Sequence, residues 1–306
     1  MRLTPSAFCL FLAAASLLPA SAPAQSQLYR WVDRAGVTHY GDRPPDTEQA
    51  SEGIGPVRQQ PLAVEPRSMA SLHVLAVDGG HEVWAENHLA GPIEVMVSGG
   101  SRQFNATPPL PARATVATAG RGLVTRLHAT DAAMPLRMIA VPGSPGGRVR
   151  DVEYRFPLRM ATPRVAQGHG GSFSHADNEN RHAVDFPAPV GTPVLAARDG
   201  VVMHLERDFH RGGTDPDRDL HRANFIRILH DDGSMALYAH LEEGGVLVRQ
   251  GQHVRAGQTI GRSGNTGFSS GPHLHFVVQA NRGMRVESVP FRMFGPQGIL
   301  RFSLTR

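Results

Sequence analysis

The stretch GPHLHFVV, residues 271–278, places two histidines one residue apart within an apolar run. Alternate side chains of a β-strand point to the same face, so His273 and His275 are predicted to project together. Burying two imidazoles on one face, beside a Gly-rich loop, costs desolvation free energy unless each ring has a partner. The stretch therefore predicts a functional pair of histidines on a strand.

Composition is that of a globular protein. The chain has 306 residues, 41% of them hydrophobic and 19% charged, with a formal net charge of +4. This length predicts two or three domains. Residues 1–24 have the features of a secretory signal peptide: Arg2, the apolar run AFCLFLAAASLL and the small-residue site APA. Since that run is too short for a stable transmembrane span, we expect a periplasmic or secreted protein with no stable membrane insertion.

The lack of lysine, and of cysteine outside the predicted signal peptide, excludes several kinds of chemistry. The only cysteine, Cys9, lies within the predicted signal peptide, and every basic residue is an arginine. The mature chain therefore has no disulfide, no Cys nucleophile and no Schiff-base or P-loop lysine. Because the arginines are scattered and the net charge is mild, we expect no nucleic-acid partner. The positive charge suits an anionic envelope polymer, and an ordinary solvated Arg-rich surface explains it equally well.

The sequence predicts mainly β structure in successive segments. Residues 25–45, with the alternating stretch LYRWVDRAGVTHYGDRPP, are expected to form a small β module built on a hairpin around DRAG. Short apolar runs between Gly and Pro clusters indicate strands through most of the remaining chain. The segments expected there are a linker at 46–67, a β-sandwich-like accessory domain at 68–157, the domain that carries the motifs at 166–295, and a tail at 296–306.

One apparent metal motif is rejected. HEVWAENH, starting at His81, resembles the helical zinc motif HExxH, but Ala85 stands where the second histidine belongs. The surrounding residues alternate as in a strand. No metal site is expected there.

Four groups on separate strand-like runs are predicted to converge. AVDFPAPVGTPVLAARDGVV places Asp185 at the end of a short strand, ALYAHL places His240 after another, and GPHLHF adds His273 and His275. Imidazole and carboxylate groups bind zinc, and a catalytic zinc has three protein ligands and one position for water. The four residues therefore favour a zinc site in a cleft.

The region from Gln167 to Phe291 resembles the LytM/lysostaphin-type zinc endopeptidases. The matching motifs are AVDFPAPVGTPVLAARDGVV, YAHL, VRQGQHVRAGQTIGRSGNTG and GPHLHF, in family order. The resemblance implies a two-layer antiparallel β-sheet with a groove, and a zinc endopeptidase domain at 166–295. It implies hydrolysis of peptide cross-links in bacterial peptidoglycan by a metal-activated water. The stretch YRWVDRAGVTHYGDRPP is similar to a small domain of unassigned function found on exported bacterial proteins.

The family's site residues carry over by position, with one departure. The resemblance implies that Asp185 and His275 are zinc ligands and that His240 and His273 are the catalytic histidines. Many relatives have a further ligand histidine in HxGxD, four residues before the aspartate. That position is Arg181 here, and arginine cannot bind zinc.

Three histidines compete for the remaining ligand position. His182 is near in sequence, but three residues before Asp185 it falls on the opposite strand face. His175 can return to the site across a hairpin loop, and a sub-branch of the family has Ser-His at this distance; we favour it. His169 is a further rival, and a site in which none of them binds is the remaining alternative.

Other histidines and the polar stretch FHRGGTDPDRDLHRANF, residues 209–225, are given no catalytic role. The stretch is interpreted as an insertion that flanks the groove. Surface or loop positions are expected for His204, His210, His221, His230 and His253.

Two other classes of function remain. One is a metal-free family member that binds and activates a separate peptidoglycan amidase, which the arginine in HxGxD leaves open. The other is a cell-wall binding or scaffolding module. The favoured substrates are peptidoglycan stem peptides, cut by D,D-endopeptidase action in a Gram-negative periplasm. A cell-wall or regulatory protein is a further candidate partner.

Overall fold

The computed structural model describes six ranges of the chain, in two compact units, Met1–Ala63 and Val64–Arg306. The predicted signal peptide lies outside the described residues. No helix within the described ranges is long and apolar enough to cross a membrane. The strands confirm the expected mainly β fold. The described ranges are 27–32, 38–41, 58–61, 65–99, 105–128 and 135–302.

The first unit contains a three-stranded antiparallel sheet. Its strands are β1 (Gln27–Val32), β2 (Thr38–Gly41) and β3 (Arg58–Pro61), in the order β2-β1-β3. β1 and β2 form the hairpin expected from the alternating pattern. β3 lies within the predicted linker, 46–67, so that prediction is wrong over these residues. The physical reason is that the free edge of β1 offers main-chain groups with which even a Gln- and Pro-rich segment pairs.

The second unit begins with two small sheets packed as a sandwich, in the orders β4-β5-β9-β7 and β10-β6-β8. Alternate side chains such as Val83, Val95 and Val124 fill the space between them. All of HEVWAENH except its last residue, His88, lies in β5, as its alternation predicts. The strands are β4 (Ala70–Val77), β5 (Gly80–Asn87), β6 (Ile93–Ser98), β7 (Ala106–Thr107), β8 (Ala112–Val116), β9 (Arg121–Leu127) and β10 (Arg137–Pro142).

The remaining chain is built on a nine-stranded sheet with the main order β12-β21-β17-β16-β14-β18, to which β13, β19 and β22 are attached. A parallel pair, β15 and β20, lies outside this sheet. The bounds are β11 (Glu153–Arg155), β12 (Val184–Pro187), β13 (Pro193–Leu195), β14 (Gly200–Glu206), β15 (Gly212–Gly213), α1 (Pro216–Asp219), β16 (Asn224–Leu229), β17 (Met235–Val246), β18 (His253–Val254), β19 (Thr259–Ser263), β20 (Gly267–Phe268), β21 (His273–Asn281), β22 (Val286–Ser288), β23 (Arg292–Gly295) and β24 (Gly298–Ile299).

The two faces of the large sheet have different partners. One face buries Ile226, Tyr238 and Phe276 in the main hydrophobic core, and each large side chain buried there stabilises the fold by roughly 1.5–3 kcal/mol. On the opposite face Met203 and Met235 join the core of the sandwich. The sandwich therefore packs against one part of this face, and the histidines of β21 lie further along it.

The insertion 209–225 is tied to the strand pair outside the large sheet. β15 pairs in parallel with β20, with Gly212 opposite Gly267. A Cβ atom on Gly212 would lie 1.7 Å from the carbonyl oxygen of Asn265, so only glycine allows this approach. The short helix α1 follows, capped by the side chain of Asp215.

Two histidines expected at the surface are buried. His204 and His230 are 8% and 3% exposed, so the prediction is wrong for both. A β-bulge between Val202 and His204 changes which way the side chains of β14 point, and sequence alternation does not reveal it. Burial lowers the pKa of His204 to about 3 and that of His230 to about 4. His210, His221 and His253 are exposed, as expected.

Candidate metal centre

Strand pairing brings Asp185 beside the histidine pair. β12 runs antiparallel to β21, and Asp185 lies directly opposite His275. Asp185 is inside its strand rather than at the end that the sequence predicts. His273 and His275 both lie on β21, two residues apart and on the same face. The register of two strands therefore assembles three of the predicted groups.

His175 reaches the same place from a loop. The backbone N–H of His175 donates to the carbonyl of Gly171. Just before this loop, the backbone N–H of Asp185 donates to the carbonyl of Gln167, and its carbonyl accepts from the N–H of Ala166. The imidazole of His175 is completely buried. The segment between Gln167 and Asp185 thus leaves the sheet and returns to it.

The three groups present their ligand atoms to one point. Nε2 of His175 lies 3.3 Å from Oδ1 of Asp185, and Nδ1 of His275 lies 2.9 Å from the same oxygen. All three ligand atoms fall within 4.8 Å of one another. Two imidazoles and a carboxylate in this arrangement are the donor set of a catalytic zinc site.

Hydrogen bonds behind the three groups leave one free ligand atom on each. Nδ1 of His175 contacts the Gly168 carbonyl at 2.8 Å, so it carries the proton and Nε2 is free. Nε2 of His275 contacts Oδ1 of Asn180 at 3.2 Å, and donation there frees Nδ1. Oδ2 of Asp185 accepts from the Gln167 amide at 3.3 Å, which leaves Oδ1. Such outer contacts fix the tautomer and orientation of metal ligands. The residues present therefore fit a zinc ion.

The charges in the cluster are coupled. Burial by itself raises the pKa of Asp185. In the metal-free protein, hydrogen bonds from the inner nitrogens of His175 and His275, when these carry a proton, hold that pKa well below its usual range. Burial by itself lowers the pKa of His175, and the bond to Asp185 reverses this, so the net shift is upward. Asp185 is therefore ionised at neutral pH, as a ligand must be.

His240 reaches the site through a β-bulge. Asn224 pairs with Leu241 and Phe225 with Ala239, so His240 is the extra residue of β17. Its φ of 63° is unusual for a residue other than glycine. Bulges frequently re-aim a side chain next to an active site. Here the bulge places the His240 ring 5.7 Å from that of His275.

His240 and His273 form a second imidazole pair, with ring centroids 4.6 Å apart. Nδ1 of His240 bonds the carbonyl of Thr266, and Nδ1 of His273 bonds that of Gly271, both at 2.7 Å. These bonds leave both Nε2 atoms unprotonated. Burial, followed by the neighbouring imidazoles, lowers the pKa of His240 to about 3, and burial also lowers the pKa of His273. Both rings are neutral at pH 7 and can accept a proton.

A pocket of about 340 Å³ opens beside these histidines. His240, His273 and Asp185 lie on its wall, together with Phe173 and Phe268. The two phenylalanine rings stack at 5.4 Å with 13° between their planes. Because Phe268 belongs to β20, the insertion 209–225 supports this wall of the pocket.

The rival ligands lie elsewhere. Nδ1 of His182 contacts both the carbonyl and the hydroxyl of Ser288 at 3.1 Å. His169 packs on His182 and on Phe302, and its Nε2 has no hydrogen-bond partner among the described residues. Burial lowers the pKa of His169 to about 4. Neither imidazole contacts Asp185.

Sequence reasoning missed two residues of the site, Gln167 and Asn180. Each orients a ligand through its side-chain amide, but each is a polar residue in a loop region with no periodic pattern around it. Their contacts depend on the path of the loop between 168 and 182. No signal in a single sequence identifies them.

The region that carries the candidate metal centre is similar in sequence to known proteins. Residues 179–287 match the model of peptidase family M23, and residues 8–70 match a domain of unknown function, DUF4124. Peptidoglycan DD-endopeptidase ShyA of Vibrio cholerae is 40% identical over 121 residues, which are 40% of this chain and 22% of ShyA. DD-carboxypeptidase/endopeptidase Mpg of Neisseria meningitidis is 40% identical over 99 residues, 32% of this chain and 20% of Mpg.

A solved structure is also similar. The catalytic domain of lysostaphin from Staphylococcus simulans is 33% identical, with 39% of this chain and 81% of that one covered and a TM-score of 0.29. The chain spans about a fifth to a quarter of the length of the curated relatives it matches. The match at 179–287 contains Asp185, His240, His273 and His275 but not His175. The chain therefore carries a domain of peptidase family M23 in its carboxyl-terminal part.

Proposed function

We propose that this protein is an exported, zinc-dependent endopeptidase that hydrolyses peptide cross-links of bacterial peptidoglycan. One observation carries the proposal: three free ligand atoms meet within 4.8 Å, beside two neutral imidazoles and a pocket. A structural zinc site has four protein ligands, whereas three ligands with an open side are typical of catalysis. The pairing of a metal centre with proton acceptors fits hydrolysis.

His175, Asp185 and His275 would hold the zinc. When bound, zinc polarises a carbonyl group and makes a water molecule more acidic. His273 is the nearer proton acceptor, because its Nε2 lies 3.6 Å from Oδ1 of Asp185. His273 would take a proton from the attacking water and return it to the leaving amine. The neutral His240 beside it would accept a hydrogen bond that orients this water.

The substrate class is inferred from the relatives. ShyA and Mpg are named for endopeptidase action, on peptidoglycan in the case of ShyA. Stem peptides joined by direct cross-links are therefore the proposed substrates, and the periplasm is the proposed location. The signal-peptide features of residues 1–24 support export.

Digestion of isolated peptidoglycan by the purified, zinc-loaded protein tests the proposal. We expect cross-linked muropeptides to fall and uncross-linked ones to rise on chromatography, with no change for a His273→Ala variant. Unchanged cross-linking in both proteins, together with stimulation of an added peptidoglycan amidase, would instead support the activator alternative.

A further inference from the structure

Arg227 lies on the same sheet face as the metal centre, and no carboxylate of the described residues lies within 4.0 Å of its guanidinium. Through β16, β17 and β21 it is in register with Leu237 and Val277. Val277 is two residues from His275 on β21, so the two side chains point to one face. Arg227 is only partly exposed, and burial lowers the pKa of its guanidinium to about 10.

Two other arginines of this region each pair with a carboxylate. Arg198 is 12% exposed and lies 2.9 Å from Asp232. Arg218, although more exposed, lies 2.7 Å from Asp219. Arg227 has no ion pair within 4.0 Å in the described residues, and its Nε has no acceptor. A desolvated guanidinium without a carboxylate in direct contact is costly, so its retention needs a compensating role.

The guanidinium is held in place by a neutral group. Nη1 of Arg227 donates to Oε1 of Gln279 at 2.6 Å, and the Gln279 amide donates to the backbone carbonyl of Glu179 at 2.9 Å. The side chain of Glu179 acts on Arg227 and on His221 electrostatically but bonds neither. Glu179 therefore lies near both Arg227 and the insertion that carries His221.

The distance between Arg227 and the metal centre matches the length of a short extended peptide. Two strand spacings and two residues along the strand put Arg227 about 12 Å from His275, backbone to backbone. At about 3.4 Å per residue, an extended peptide covers this distance in three to four residues. A group bound at Arg227 would thus belong to the same peptide as the bond at the metal.

We propose that Arg227 is a substrate-binding residue that takes a free carboxylate of the stem peptide, three to four residues from the cleaved bond. This inference rests on the proposed function and adds a specificity site to it. Planar guanidinium groups bind carboxylates with two parallel hydrogen bonds. Gln279 acts as a positioning residue for the guanidinium.

Matched peptides test this site. The probes are a synthetic cross-linked stem-peptide dimer with free carboxylates and its twin in which these are carboxamides. Binding is measured by calorimetry on the zinc-loaded full-length protein with His273→Ala, and cleavage on the protein with His273 intact. We expect the carboxylate form to bind about 10- to 100-fold more tightly, as a charge-assisted bond allows.

Variants separate the site from net charge. Arg227→Gln should remove the preference, Arg227→Lys should reduce it because lysine lacks the planar fork, and Arg249→Gln, at an exposed position, should leave it intact. Glu179→Gln should keep or increase it by removing a competing carboxylate. Full preference in Arg227→Lys would overturn the two-bond recognition, which keeps the proposal testable if Arg227→Gln does not fold.

The two proposals can fail separately. Cleavage of both twins at equal rates and with equal affinity would overturn the role of Arg227 and leave the endopeptidase standing. A preference in binding that is lost in Arg227→Gln, without cleavage of either twin, would support the carboxylate site and contradict the endopeptidase.

Discussion

Within the described residues, two edge-to-face pairs of histidine rings have nearly equal spacing, and only one of them shares a carboxylate. His175 and His275 have ring centroids 5.2 Å apart, and His169 and His182 have theirs 5.4 Å apart. The first pair shares the carboxylate of Asp185. The second packs on aromatic side chains and Ser288.

The surroundings of the two pairs shift the pKa values of similar rings in opposite directions. The pKa of His175 is raised, because its bond to Asp185 outweighs burial. The pKa of His169 is lowered to about 4, because burial acts without a carboxylate. The shared carboxylate therefore distinguishes the candidate ligand pair from the packed pair.

The largest effect is expected from removing a ligand of the first pair. His275→Ala should lose both zinc and peptidoglycan hydrolysis, with zinc affinity reduced by more than about 100-fold, since even an outer contact is worth 10- to 100-fold. His169→Ala is the matched change in the second pair and should retain zinc. Metal analysis after gel filtration checks both variants. Equal zinc loss in the two would contradict the distinction between a ligand pair and a packed pair.

A smaller effect on metal but a large effect on rate is expected at His273. His273→Ala should keep most zinc and lower the rate by about 10²- to 10⁴-fold, because it removes a proton acceptor and not a ligand. The rate of muropeptide release and the zinc content, measured on one preparation, check this. Zinc loss as severe as in His275→Ala would show that His273 is needed for metal binding and does not act as a proton acceptor alone.

An intermediate effect is expected at Asn180, which holds the outer nitrogen of His275. Asn180→Ala should weaken zinc binding by about 10- to 100-fold. Asn178→Ala removes the same amide at an exposed neighbouring position and should not. Competition with a chelator measures both affinities, and equal affinities would mean that His275 does not need Asn180.

The smallest effect is expected in the second pair. In the folded state the pKa of His169 is about 4, below the ordinary value of 6.5, so the unfolded chain binds a proton first as pH falls. Stability should be full above about pH 6.5 and decline toward pH 4, by about 1 to 2 kcal/mol for this partly exposed ring.

His169→Phe should make that decline shallower, and His253→Phe, at an exposed position, should not alter it. Urea unfolding from pH 7 to pH 4 measures the slope. A slope that is the same with and without His169 would show that this ring is protonated in the folded protein.

Motifs on regular strands could be predicted, and contacts made by loops could not. His273, His275 and Asp185 follow from alternation and strand pairing, and the zinc chemistry follows from their types. The motif identifies His240, but the bulge that orients its ring depends on pairing between β16 and β17. The sequence misplaces His204 for the same reason, because a bulge in β14 breaks the alternation.

The choice between His175 and His182 also depended on the path of a loop. Both were within reach in sequence, and only the return of the chain after Gly168 directs one of them to Asp185. The carboxylate site at Arg227 is hidden for a related reason. An arginine in a strand is ordinary in sequence. Only the folded arrangement of the neighbouring strands and loops shows that no described carboxylate contacts this one.

The most direct test is the zinc content of the purified mature protein, measured beside His175→Ala and His182→Ala. The metal centre described above predicts about one zinc ion per chain in the unaltered protein and in His182→Ala, and little in His175→Ala. Zinc lost only with His182→Ala, or absent from the unaltered protein after incubation with the metal, would contradict it.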